Sequence, residues 1–256
     1  MDQKRQVQQQ FGPSALAYVQ SAGHAGGPDL DRLVAWGRAR GATRVLDVAT
    51  GGGHTALAFS AFTPTVIATD LTEPMLRAAR GFAAERGMAS ILYLAADAEG
   101  LPFRDESFGV VTCRQAAHHF PAVLPMLRQV SRVLEPRGSL LLQDILGHED
   151  DECAAFILEV EKRRDPSHVR SVPHKEWVAL LKAAGLTVVE DAVMDKVRPW
   201  GEWTDRMRMT LDAKADLERF VLSASSRCRE AFRVEADGGR VRAFTDRVLL
   251  LSAHKG

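Results

Sequence analysis

The sequence is short of the features that assign a protein to a class most quickly. Its 33 Lys and Arg are matched by 33 Asp and Glu, so the formal net charge at pH 7 is +0. No long-range field gathers nucleic acid or an anionic membrane, and neither is expected as a partner. The three cysteines, Cys113, Cys153 and Cys228, are far apart and form no C-x-x-C. That argues against a disulfide framework and a zinc cluster, and no metal site is expected. No apolar run approaches the roughly 18 residues that cross a bilayer. The opening MDQKRQVQQQFG lacks the apolar centre of a signal peptide, so the expected address is the cytoplasm. There is no internal repeat, and nothing of low complexity beyond that short Gln-rich start.

What is present is an ordinary globular composition, 46% hydrophobic and 26% charged over 256 residues, long enough for one large domain. Short apolar runs at 44–49, 65–69, 91–95, 108–113 and 139–143 read as strands. Several are apolar almost without alternation, as parallel strands covered on both faces require. Helical patterns separate them: one opens at Thr72-Glu73-Pro74, and another runs over 122–134 to the stop Glu135-Pro136-Arg137-Gly138. Alternating strand and helix predicts right-handed crossovers and an α/β, doubly wound sheet. Helices at about 150–163 and 174–184 precede a strand at 187–193. The expected organisation is a single domain over 1–256. In it, 1–40 forms N-terminal helices and a lid, 41–193 the sheet core, 195–235 a helical lid insertion, and 241–251 the last strand.

Within this pattern the stretch LDVATGGGHTALAF, residues 46–59, poses a chemical question. Asp47 lies inside an apolar strand, and Gly51-Gly52-Gly53 turn the chain behind it. In a doubly wound sheet, ligands bind at the carboxyl ends of the strands where the strand order reverses. Glycines let backbone approach a ligand, and the helix starting near His54 aims its free N–H groups at it. An acid four residues before the first glycine suits a cofactor bearing an amine or positive charge, whereas a pyrophosphate would be repelled. Asp70 ends the second strand and Asp97 follows the third. An acid at the first of these places can accept from a ribose diol, and one at the second from an adenine amino group. Amine, ribose and adenine together describe S-adenosylmethionine.

The motifs VLDVATGGG, TDLTEPML, DAEGLPFRDESF and RVLEPRGSL, in that order over roughly residues 40–145, resemble class I S-adenosylmethionine-dependent methyltransferases. The likeness is to their ubiquinone/menaquinone-biosynthesis-like (type 11) group. FGPSALAY and RDPSHVR also resemble one bacterial subgroup. Ala49-Thr50 departs from the family's usual Gly-x and implies a slightly shifted turn. The resemblance implies a seven-stranded, mostly parallel Rossmann-like sheet, S-adenosylmethionine as cofactor, and a small-molecule acceptor. By that resemblance Asp47, Ala49, Gly51 and Gly53 surround the methionine part. Asp70 holds the ribose, with Leu71 and Met75 against the cofactor. Asp97 and Ala98 flank adenine, and Arg114 lies where strand four ends. Tyr18 and His24, around the Gly-rich hinge 23–27, belong to a gating segment that closes over the cofactor.

Methyl transfer needs a positioned nucleophile and, for carbon or oxygen, a base. Of the histidines, which titrate in the right range, His118 and His119 follow strand four in RQAAHHF. His119 is the expected base, with His168 as a second candidate and Arg170 to hold an anionic part of the acceptor. The rival readings are a non-catalytic S-adenosylmethionine-binding scaffold and an NAD-dependent dehydrogenase. Either a monomer or a homodimer fits.

Overall fold

A computed structural model describes residues 2–20, 25–88 and 90–256. The expectation for His24 lies outside the described residues. Five parallel strands carry the core: β1 (Arg44–Val48), β2 (Thr65–Asp70), β3 (Ile91–Ala95), β4 (Phe108–Arg114) and β5 (Leu134–Ile145). Two long antiparallel strands, β6 (Leu186–Pro199) and β8 (Arg240–Lys255), complete the order β3-β2-β1-β4-β5-β8-β6. The sheet counts eight strands rather than the expected seven, because the short β7 (Glu235–Asp237) forms a hairpin on β8. Strand order reverses between β1 and β4, which makes their carboxyl ends the switch point.

The absence of alternation is explained by coverage. In β1 every residue after Arg44 is buried, and β4 is buried at all but Gly109. β3 has the same apolar look but lies at the sheet's edge, with Leu92 58% and Leu94 40% exposed. One face of the sheet is packed by α3 (Pro28–Arg40) and α4 (His54–Ser60). There Phe59 comes so close to Gly37 that a Cβ on the glycine would meet its ring at 2.3 Å. On the other face, α6 (Val123–Val133) and α8 (His174–Ala183) bury Met126, Leu127, Val130, Trp177 and Leu181. α5 (Glu73–Ala84) packs beside β2 and β3.

Three boundaries differ from expectation. Glu135 to Gly138 is a bulge inside β5, not a break: pairing jumps from Phe108↔Leu134 to Val110↔Ser139, with Arg137 in the left-handed region. The last two strands are longer than expected, because their ladder runs unbroken by loops from Leu186↔Lys255 to Pro199↔Ala243. Half-exposed β6 alternates with polar residues there, so composition alone hides its length. The helical insertion is accordingly α9 (Trp200–Asp205), α10 (Leu211–Leu222) and α11 (Ser226–Ala231), standing on the projecting ends of β6 and β8. Its apolar side packs on α7 (Asp151–Arg164) around Phe156, Trp200, Trp203, Phe232 and Phe244. Before α3 the chain forms α1 (Gln3–Phe11) and α2 (Ala15–Val19).

Candidate active site

The carboxyl ends of β1, β2 and β4 open into a cleft, and its floor is the glycine turn. Ala49 (φ 53°) and Gly51 (φ 53°) are left-handed, and the turn closes through Thr50 N–H to Thr69 O (2.8 Å) and Gly53 N–H to Thr50 O (2.9 Å). On the adjacent strand end Gln115 is also left-handed (φ 54°). Such backbone costs a non-glycine residue energy and persists only when its surroundings hold it. Both strained residues line the cleft.

Asp47 is not a cleft residue. Its side chain turns inward, 1% exposed, and accepts from Thr50 Oγ1 (2.6 Å), Thr112 Oγ1 (2.6 Å) and Ala56 N–H (3.2 Å). It braces the turn and the start of α4 from behind, because the alternation of β1 points it away from the ligand side. Burial pushes its pKa up to about 6 against those three hydrogen bonds. Gly53 likewise stands outside the lining. A Cβ there would meet the Ala79 Cβ at 2.9 Å, so this glycine lets α5 approach. Gly52 takes its place in the lining, under the Tyr18 carbonyl.

The other expected cofactor residues do converge: Ala49, Gly51, Asp70, Leu71, Met75, Asp97, Ala98, Arg114 and Tyr18 all line the cleft. Asp70 accepts from Gly51 N–H (2.9 Å) and Thr72 N–H (2.8 Å), and burial raises its pKa against those bonds. Asp97 accepts from Glu99 N–H and from Lys4 Nζ (2.6 Å). Arg114 is a strut: its guanidinium grips Asp29 of α3 at 2.9 and 3.2 Å.

Histidines form the cleft's other side. His118 sits in the 3-10 turn Ala117–His119, with Nδ1 2.5 Å from Asp144 Oδ1. Asp144 also accepts the His118 and Ile145 backbone N–H groups, at 2.9 and 2.7 Å. Burial alone lowers the imidazole's pKa, but the charge and hydrogen bond of Asp144 outweigh it, and the net direction is upward. His119 also lines the cleft, yet burial and the neighbouring His118 charge press it down to about 4. Its Nδ1 lies 3.2 Å from the Ser167 carbonyl. His168 stacks on His118 (5.0 Å) behind the wall, 3% exposed and outside the lining. Burial and the two other histidines lower its pKa to about 2. Arg170 points away to an exposed pair with Glu176 (2.5 and 2.7 Å) and does not reach the cleft.

Sequence reading missed Asp144, although it is one more acid following an apolar strand. α1 lies within the segment 1–40 expected to hold a lid, but the side chains that fasten it were not singled out. Lys4, Val7 and Phe11 line the cleft, and the Gln-rich start donates to backbone carbonyls on both rims: Gln3 to Ser167 O (2.6 Å), Gln6 to Pro166 O (2.7 Å), Gln8 to Leu71 O (2.9 Å). Away from the cleft, His148, Asp150 and Cys153 bring ligand-type atoms within 4.8 Å of one another, a grouping that chain spacing did not suggest. Asp150 is already engaged there, capping α7 and pairing with Arg227.

Known proteins are similar to this chain in sequence and fold. A sequence model of the methyltransferase domain matches residues 46–142. The uncharacterized methyltransferase YcgJ of Bacillus subtilis is 33% identical over 246 residues, covering 96% of this chain and 97% of its own. The chain belongs to the methyltransferases. The crystal structure of YcgJ matches this methyltransferase with a TM-score of 0.85 over 89% of this chain and 97% of that one. A Bacillus halodurans protein solved as a candidate methyltransferase matches at 0.86 and 40% identity, over 90% and 99%. The 27-O-demethylrifamycin SV methyltransferase of Amycolatopsis mediterranei is 31% identical over 239 residues, covering 88% of this chain and 82% of its own. These likenesses favour neither the scaffold nor the dehydrogenase alternative. The cofactor is S-adenosylmethionine, and the cleft's donor set fits it. Among the described residues, Thr72 Oγ1, Glu99 Oε1 and Gln115 Nε2 are buried polar atoms of the lining with no protein partner. Leu71, Met75 and Ala98 give the apolar walls that an adenine requires.

Proposed function

We propose that this methyltransferase methylates an oxygen or an acidic carbon of a small molecule, with His118 as the base. The observation that carries this reading is the His118–Asp144 pair opening into the same cleft as Asp70 and the glycine turn. S-adenosylmethionine, when bound, supplies an electrophilic methyl group on a sulfonium. Asp70 accepts from the ribose hydroxyls, Asp97 and Ala98 flank the adenine, and Gly51 and Gly52 leave room for the methionine part. Asp144 holds the Nδ1 proton of His118, which fixes the tautomer and leaves Nε2 to take a proton from the acceptor. The base is thereby assigned to His118 rather than the expected His119, whose lowered pKa makes it the weaker one. The name of the rifamycin relative describes an oxygen acceptor, in keeping with a base-assisted transfer.

α1 acts as the lid, latched by Lys4 on Asp97 and Glu99 at 2.6 and 2.7 Å. The insertion 200–231 roofs the acceptor side. The chain's formal net charge is +0, and a small-molecule acceptor is preferred over nucleic acid. Transfer of labelled methyl groups into a metabolite extract tests the reading. Incorporation that depends on His118 supports it, and a protein that binds S-adenosylmethionine but labels nothing removes it.

A further inference from the structure

The wall facing the glycine turn carries more positive charge than its own carboxylates answer. Arg164 of α7, Arg198 of β6 and Arg206 just after α9 all line the cleft. Arg198 is paired, with Asp246 Oδ2 at 2.8 and 2.9 Å. Arg164 lies over the Trp203 ring (4.5 Å), donates to the Trp203 carbonyl (2.9 Å) and approaches Glu161 only to 3.6 Å. Arg206 has no carboxylate within ion-pair reach among the described residues.

The acids nearby do not reach Arg206. Asp165 accepts from Ser167 Oγ (2.6 Å) and N–H (2.9 Å). Burial raises the pKa of Glu161, whose Oε2 faces Arg164 at 3.6 Å and whose Oε1 has no partner. Burial and the charges of Arg164 and Arg198 lower the pKa of Arg206, the mark of like charges crowded together. Guanidiniums held this way are stabilised when an oxyanion joins them, since their planar forks match a carboxylate.

We propose that Arg206 and Arg164 grip a carboxylate of the methyl acceptor, so that the acceptor is a small organic acid whose reacting group is presented to His118. This rests on the methyl-transfer reading above. The cluster and the cofactor side belong to different segments of the chain. The cluster's residues come from α7, β6 and the insertion, whereas the cofactor side is built from the ends of β1 to β3. Trp203 and Phe120 in the same lining offer an apolar surface for the body of such an acid.

The test uses the full chain saturated with S-adenosylhomocysteine and titrated with benzoate or, as the uncharged match, benzamide. Benzoate is expected to bind in preference. Arg206→Gln should weaken benzoate by about ten- to a hundredfold while leaving S-adenosylhomocysteine affinity unchanged, which also shows that the variant folds. Arg206→Lys should fall between. Absent or equal binding of the two probes, or indifference of benzoate to Arg206→Gln, overturns the proposal. So does a variant that weakens S-adenosylhomocysteine but not methylthioadenosine, because the carboxylate held is then the cofactor's. If the wild-type chain does not bind S-adenosylhomocysteine, the methyl-transfer reading itself fails, and the proposal falls with it.

Discussion

On one side of the cleft, the lining groups come from strand ends and the turns that follow them, within residues 49 to 99. Backbone N–H groups set the Asp70 carboxylate, and Asp47 braces the turn from behind. On the opposite side, the groups come from β4, β5, α7, β6 and α9, and side chains hold one another: His118 by Asp144, Arg198 by Asp246. The first kind of site is local and reads as a motif. The second is assembled over long chain separations, so its chemistry can change without disturbing the sheet.

The sharpest test of this contrast is His118→Ala. It should lower turnover by about 10²–10⁴-fold, the range of general-base catalysis, with cofactor affinity unchanged. Because Asp144 raises the pKa of His118, wild-type turnover should fall on acidification through a midpoint above 6.5, where the neutral form is lost. The same pair's contribution to stability has the opposite sense: it is complete below the unfolded imidazole's value and fades as pH rises through the folded one. A pH profile unchanged in His118→Gln would assign the titration elsewhere.

Asp47→Ala should come next, at about 3 kcal/mol of folding stability, since two hydroxyls and a buried N–H lose their acceptor. Thermal melting of the ligand-free protein reads this directly. A variant that melts normally but fails to bind cofactor would make Asp47 a ligand after all. Asp70→Ala should do the reverse, costing about 1–3 kcal/mol of S-adenosylmethionine affinity by calorimetry through lost charge-assisted bonds. The smallest effect is expected for Lys4→Ala. Its ion pairs are about a third exposed, and loss of the latch should weaken cofactor binding by no more than about 1 kcal/mol. Deleting residues 1–20 removes the glutamine contacts too and should exceed it. Equal affinities in both variants would show that α1 is no lid.

Legibility followed the same divide. Ala49, Asp70, Leu71, Met75 and Ala98 come together along one cleft, because strand ends and βα turns are local and doubly wound sheets place them at one edge. Asp47 and Gly53 were expected against the ligand but stand behind it, since only the pleat of β1 and the packing of α5 decide which way they face. Arg170 and Glu176, six residues apart, pair outside the cleft, and that cannot be read from RDPSHVR.

The sequence by itself determined the alternation of strand and helix, the buried parallel strands, the glycine turn and its following acids. Each depends on periodicity or on backbone freedom within a few residues. Only the tertiary structure decided which histidine is hydrogen-bonded to a carboxylate: Asp144 lies 2.5 Å from His118, whereas Asp165 comes only to 3.9 Å from His119. His118 and His119 are adjacent and chemically identical in the sequence. β5 brings Asp144 against one, while α1 and the 165–168 turn bury the other, and charge and burial then drive their pKa values apart.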